Sequence, residues 1–222
     1  MFLGGADNNS NPEWRAPSVR GALRYWFRAL AGGVSGNDIS DDNFSELQKK
    51  ENQIFGSTDS RSSVSVLVLP EGQTTISQFT KDRTIKAPGG NFLPTGKNYL
   101  LWSMAETRQK PSRTYITPGS KFQIKIRAPF GEDKNIKIAA ASLWLLSNLG
   151  ALGSRANRGA GSFQLMLKDN MLEIPEFNLC KSIEKLQIYL KHGILKCLKV
   201  VTGETAEWRT FDNPPLYDIL SP

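Results

Sequence analysis

Cysteine and histidine are scarce in this sequence: its 222 residues hold two cysteines and one histidine. Cys180 and Cys197 make no CxxC pair, so neither a disulfide framework nor a zinc site is expected, and a reducing cytosol suits the chain. A single histidine, His192, excludes a multi-histidine metal centre. It reads as a helix-end surface residue rather than a general base. No apolar run reaches about 18 residues, the length a membrane-crossing helix needs. No charged start followed by an apolar signal segment is present. No membrane, metal or cofactor is therefore expected as a partner.

Acidic residues are also in deficit, with 21 Asp+Glu against 28 Lys+Arg. The imbalance is local. Residues 1–168 carry 22 basic and 13 acidic residues, whereas residues 169–222 carry 6 and 8. A basic excess confined to one part of the chain favours an anionic partner, most simply a nucleic acid. The alternative is ordinary solubility charge.

Glycine, by contrast, is concentrated. In the stretch Gly150-Ala-Leu-Gly-Ser-Arg-Ala-Asn-Arg-Gly-Ala-Gly-Ser-Phe163, glycines stand at 150, 153, 159 and 161 with Arg155 and Arg158 among them. An apolar helical run, Ile136–Leu149, precedes the stretch, with Gly150 at its C′ position. An alternating run, Phe163–Leu167, follows it. Glycine permits positive φ and close backbone approach. Successive free amides can make a concave anion site, and guanidinium forks suit phosphate. Gly153, Ser154, Arg155, Asn157, Arg158, Gly159 and Gly161 are thus candidates for holding a sugar-phosphate backbone. The competing reading is a turn with solvated arginines.

The remaining elements follow from periodicity. Ser18 is placed as an N-cap, with a helix over 19–31 stopped by Gly32-Gly33. Val19, Leu23, Trp26 and Leu30 form its apolar stripe, flanked by Ala22 and Ala29. Arg20, Arg24 and Arg28 form a second row at i, i+4, i+8, with no acid inside the helix to answer them. Residues 41–53 read as a short helix, 62–69 as a strand closed by Pro70, and 121–128 as a half-buried strand with Phe122, Ile124 and Ile126 inward. Residues 71–120 are an irregular insertion with a possible strand at 99–102, rich in basic residues and aromatics. Aromatics among basic residues can stack bases. Tyr99 and Trp102 are expected rather to anchor the insertion. A helix is expected over 180–191 with Ile183, Leu186 and Leu190 inward.

The segment Pro12-Glu-Trp-Arg-Ala-Pro-Ser-Val-Arg-Gly-Ala-Leu-Arg-Tyr-Trp-Phe-Arg-Ala-Leu30, then Ile54-Phe-Gly-Ser57, then the glycine loop, together resemble the RAMP superfamily of CRISPR proteins. The likeness covers roughly residues 1–168. The element order, with a truncated first strand at Met1–Leu3 restored, gives an α+β, ferredoxin-like β-α-β-β-α-β arrangement with a long insertion, the fold that the resemblance also implies; residues 169–222, where the composition changes, read as a C-terminal appendage. The resemblance implies partners too: guide RNA, target RNA or their duplex, and other subunits of a type III effector complex. It places RNA near Ser18, Arg20 and Arg24 at the start of the first helix and near Ser154 through Gly161. Arg15, Arg28 and Gly153, which flank these positions, are counted with them as RNA-binding candidates.

Three functions compete at this point. One is a non-catalytic RNA-binding subunit. A second is a RAMP-type endoribonuclease, for which Asp7 is the only tempting aspartate, although an aspartate beside Asn8 and Asn9 suits turn chemistry. A third is a nucleotide-binding enzyme. Its phosphate loop should run from strand to helix and end in Gly-Lys-Ser/Thr, whereas this loop runs from helix to strand.

Overall fold

The computed structural model describes residues 1–5, 7, 11–32, 41–83, 85–86, 92–128, 133–166, 174–175, 180 and 182–203. The expected stop at Gly33, the Asn8-Asn9 turn, the Pro88-Gly89-Gly90 stretch, the far end of the 163–167 run and Pro214-Pro215 lie outside them.

Helix α1 spans Ala16–Gly32 and α2 spans Asp41–Phe55. Strand β1, Ser65–Glu71, pairs antiparallel with β6, Lys121–Arg127, from Ser65↔Arg127 to Glu71↔Lys121. Helix α4, Asp133–Leu149, follows β6, and α5, Ile183–Thr202, lies last. Between β1 and β6 come β2 (Ile76–Gln78), β3 (Ile85–Lys86), β4 (Phe92–Leu93), α3 (Gly96–Leu100) and β5 (Thr114–Ile116). Strand β2 pairs with β5, and β3 with β4. The insertion is thus folded rather than irregular. Pro70 sits inside β1 opposite Phe122 instead of closing it. A proline near a strand end is tolerable because only its own donor is lost from the ladder.

Helix α1 begins two residues before Ser18, which therefore lies in the first turn and does not cap it. Pro17 is compatible there because first-turn amides have no helical acceptor. The buried stripe is Val19, Leu23, Phe27 and Leu30. Phe27 takes the central place expected of Trp26, while Ala29 is exposed. Val19, Leu23 and Phe27 pack with Phe55, Val64, Val66, Ile138, Leu143 and Leu146 into the main core, while Leu30 joins Ala140, Trp144 and Cys197 in a second cluster. Burial of each large apolar side chain there contributes about 1.5–3 kcal/mol.

Residues 138–147 of α4 are all buried, because α5 covers the side that α1 and the sheet leave open. A helix apolar on every side must be enclosed on every side. The covering contact is close. A Cβ added at Gly193 of α5 would lie 2.1 Å from the Trp144 ring. Tyr189 donates to Asn148 Oδ1 at 3.0 Å beside it. The inward face of α5 is therefore set by Tyr189, Leu190, Gly193, Ile194 and Cys197. Ile183 and Leu186, expected inward, are exposed, and the burial of α5 falls on its later turns at Gly193 and Cys197. The helix expected over 180–191 continues without interruption to Thr202. Ser182 caps the helix by accepting from the Lys185 amide, and Gly203 ends it with φ 79°.

The described part of the 163–167 run carries no strand pairing, and Met1–Leu3 contributes a single bridge, Phe2↔Ser154. The sheet beneath α1 and α4 thus contains the β1–β6 pair. Among the described residues, no helix is long and apolar enough to cross a membrane.

Candidate nucleic-acid interface

The arginine row of α1 meets a carboxylate from another helix. Glu51 of α2, 5% exposed, accepts from Arg24 Nε at 2.5 Å and from Arg28 Nη1 at 2.7 Å. Arg24 Nη2 also donates to Asn52 Oδ1 at 2.9 Å. The acid missing from α1 itself is supplied across the α1–α2 contact. Arg20 is half-buried, and its buried Nε has no hydrogen-bond partner among the described residues. Arg15 and Ser18 are exposed at the helix start. They line a small pocket of about 90 Å³ together with Glu13, Leu152 and Gly153. The first turn of α1 and the near end of the glycine loop therefore meet.

The loop's glycines serve the loop's own packing first. Gly153 has φ 95°, and a Cβ there would lie 2.4 Å from the Phe2 carbonyl oxygen. Gly161 has φ 99°, and a Cβ would lie 2.0 Å from the Leu152 carbonyl oxygen. The backbone that comes close is the chain's own, where a ligand was expected. Gly150 has ordinary φ. It is required because a Cβ would lie 2.8 Å from Trp26 Nε1. Several loop amides are likewise engaged internally. Leu152 N–H donates to Gly161 O, Ser154 N–H to Phe2 O, and Arg158 and Ala160 N–H both to Arg155 O. The expected cradle of successive free amides is reduced accordingly.

What the loop presents outward is side chain. Arg155 adopts φ 66°, the one non-glycine residue in the left-handed region among the described residues. Its guanidinium donates from Nε to Ser103 Oγ at 2.8 Å, and Nη2 donates to the same oxygen. The group stands 5.7 Å from the Trp102 ring centroid, within cation–π range. No carboxylate pairs with Arg155, Arg158 or Arg15 among the described residues. Arg158, Asn157 and Gly159 are exposed on the turn that follows. Arg113 adds a fourth cation nearby, with Nη1 3.5 Å from Ser154 Oγ.

Tyr99 and Trp102 are 67% and 65% exposed, so neither anchors the insertion. Nor do they form a strand. Thr95 caps a helical turn by accepting from the Asn98 amide, and α3 passes into a 3₁₀ turn over Trp102–Met104. The anchors are instead Phe79, Met104 and half-buried Tyr115, which pack around Phe2. Ser103 and Trp102 are the partners that sequence reasoning did not assign to the loop. The basic and aromatic alternation of residues 81–113 was their only signal.

Asp7 accepts the Asn11 amide through its backbone carbonyl at 3.2 Å. His192 is exposed on α5. Burial pushes the Cys197 thiol up to about 12, so it behaves as an apolar core group.

Fold and loop together define a class: an α+β protein in which a long helix leads into a glycine-rich turn carrying arginines. The chain belongs to the RAMP superfamily, whose model matches residues 1–164. It is 36% identical over 202 residues to the CRISPR system Cmr subunit Cmr1-1 of Pyrococcus furiosus, covering 87% of this chain and 52% of that protein. It is 34% identical over 186 residues to Cmr1-2 of the same organism, covering 78% of this chain and 92% of that protein. The chain thus spans about half the length of the first relative and most of the second. The crystal structure of P. furiosus Cmr1 in its apo form superposes with a TM-score of 0.61 at 29% identity, over 85% of this chain and 52% of that one. A Cmr-beta chain from a type III-B complex bound to cognate target RNA and AMPPnP gives a TM-score of 0.52 at 12% identity, over 96% and 63%, a likeness of fold.

Proposed function

We propose that this chain is a non-catalytic RNA-binding subunit of a type III CRISPR effector ribonucleoprotein of the Cmr kind, working in the cytosol. It holds the backbone of guide RNA or of the guide–target duplex beside its other subunits. Residues 1–168 serve as a ferredoxin-like RNA-binding domain and residues 169–222 as an appendage packed on it. The observation that carries this reading is Arg155. Its guanidinium is aimed by Ser103 and Trp102, neutral groups that leave its charge unanswered, and Arg158 stands exposed three residues on. Phosphate oxygens are the natural complement of such forks. The exposed rings of Trp102 and Tyr99 offer stacking faces that tolerate any base. The relatives, named as Cmr subunits, support the same reading.

Binding of this kind depends on salt and little on sequence. With about 4–6 phosphates contacted in a single strand, the slope of log affinity against log salt should be about −3 to −4. The test is fluorescence anisotropy with labelled single-stranded RNA. Arg155→Ala combined with Arg158→Ala should weaken binding about tenfold at low salt and flatten the slope by about 1 to 2. Thermal unfolding should be nearly unchanged. Equal affinity of variant and parent would reject the loop as the grip. Cleavage of labelled target RNA that vanishes in Asp7→Ala would replace this reading with the nuclease.

A further inference from the structure

Two exposed rings stand on the turn that carries Ser103. Tyr99 and Trp102 lie three residues apart, where α3 passes into the 3₁₀ turn. At that spacing two side chains fall on one side of a helical backbone, with Cβ atoms about 5–6 Å apart. Aromatic neighbours so placed usually cover each other by packing ring on ring. Among the described residues, Tyr99 and Trp102 make no such contact with each other. Both rings stay open to solvent, and so does the space between them.

The turn beneath them is fixed from its inner side. Buried Asn98 accepts from the Asp82 amide at 2.9 Å through Oδ1 and donates to the Asp82 carbonyl at 2.9 Å through Nδ2. Lys97 Nζ donates to Asp82 Oδ1 at 2.7 Å. Leu101 and Met104 pack into the cluster around Phe2, and the Arg113 amide donates to Met104 O at 2.8 Å. The fold therefore holds this turn without help from the two rings. A rigid element that presents aromatic side chains outward is suited to binding.

The guanidinium of Arg155 lies over the Trp102 ring and donates to Ser103 Oγ. A base and its own phosphate are joined through one sugar, so a base at Trp102 brings a phosphate close to Arg155. A base held on both faces needs rings about 7 Å apart, twice the rise of stacked bases. Side chains three residues apart reach that separation when they splay.

We infer that Tyr99 and Trp102 clamp one unpaired base between their rings, beside a phosphate on Arg155. This rests on the RNA reading above and narrows it: the site takes single-stranded RNA and rejects the guide–target duplex at that nucleotide. In an A-form helix the faces of each base are taken by its neighbours in the stack, and no ring reaches them. Arg155 and Arg158 suit phosphate in either form. Tyr99 has a use only where a base is free, which makes it the residue that sets the preference.

Fluorescence anisotropy on the full chain tests it, with a labelled mixed-sequence RNA of about 12 nucleotides, alone and annealed to its complement. The parent should bind the single strand more tightly than the duplex. Tyr99→Ala should weaken single-strand binding about tenfold and leave duplex binding within about twofold. Tyr99→Phe should keep most of the affinity, and thermal unfolding should not move. Adding Trp102→Ala to Tyr99→Ala should deepen the loss only about two- to threefold, because both rings serve one base. Losses that multiply would mean two bases on separate faces and overturn the clamp. Equal or tighter binding of the duplex by the parent, or an equal loss for both RNAs in Tyr99→Ala, would overturn it too. Full affinity in Tyr99→Ala, with the Arg155→Ala and Arg158→Ala combination still weakened, would overturn the clamp and leave the RNA reading standing. Binding of neither RNA by the parent would sink both.

Discussion

Arg24 and Arg28 converge on one buried carboxylate, whereas Arg155 leans on a hydroxyl and an indole. Both groups of arginines stand beside glycine or aromatic residues, and both looked equally suited to phosphate. The difference is in what each has already been given. Glu51 neutralises the α1 pair and ties α1 to α2 across 23 to 27 residues of sequence. Ser103 and Trp102 orient Arg155 without cancelling its charge. An ion-paired arginine would have to give up its carboxylate before meeting RNA, while an arginine held by neutral groups is oriented in advance at little cost. The comparison teaches that arginine spacing identifies a face, and that the partner found in space decides whether the face is structural.

The largest expected effect breaks the structural side of this comparison. Glu51→Gln leaves two guanidinium groups without their acid and should lower stability by about 2 kcal/mol, read by urea denaturation. RNA affinity should stay within about twofold of the parent. A gain in affinity on freeing Arg24 and Arg28 would show that the α1 row reaches RNA after all.

Next comes the aromatic half of the loop site. Trp102→Ala should cost about 1–2 kcal/mol of RNA binding, and Trp102→Phe should restore most of it, since a stacking face needs only a ring. Anisotropy at low and high salt checks this. The loss should persist at high salt, unlike that of the arginine pair. A loss confined to low salt would mean that Trp102 acts only by steering Arg155.

Much of this arrangement was legible beforehand. The apolar period gave α1 and α4 within a few residues, and strict alternation gave β6 with its true first residue. Cooperative, long elements announce themselves through one repeated pattern. The Glu51 contact was not legible, because ion pairing across a helix crossing leaves no fixed spacing. The run Tyr99-Leu-Leu-Trp102 suggested a strand by composition, yet the Thr95 cap fixed a helical turn before the run began. The glycines pointed to tight backbone geometry, but what approached Gly153 and Gly161 was Phe2 and Leu152, residues distant from the first and near the second in sequence. A sequence shows that room is needed, not who takes it.

The smallest expected effect concerns Arg15, the exposed cation that shares the 90 Å³ pocket with Ser18, Gly153 and Glu13. Ser103 and Trp102 orient Arg155 instead, and Glu13 lines the pocket beside Arg15. If RNA follows the Arg155–Arg158 turn, Arg15 attracts it only through space, and screening limits that reach to about 8–10 Å at ordinary salt. Arg15→Ala should then weaken binding about twofold at 50 mM salt, with the difference gone near 0.3 M and the slope lowered by less than one. A loss as large as that of the loop pair, together with a slope lowered by about one, would mean that a phosphate is seated on Arg15 itself. The strand would then cross from the loop onto the start of α1, and Ser18 would become the next contact to remove.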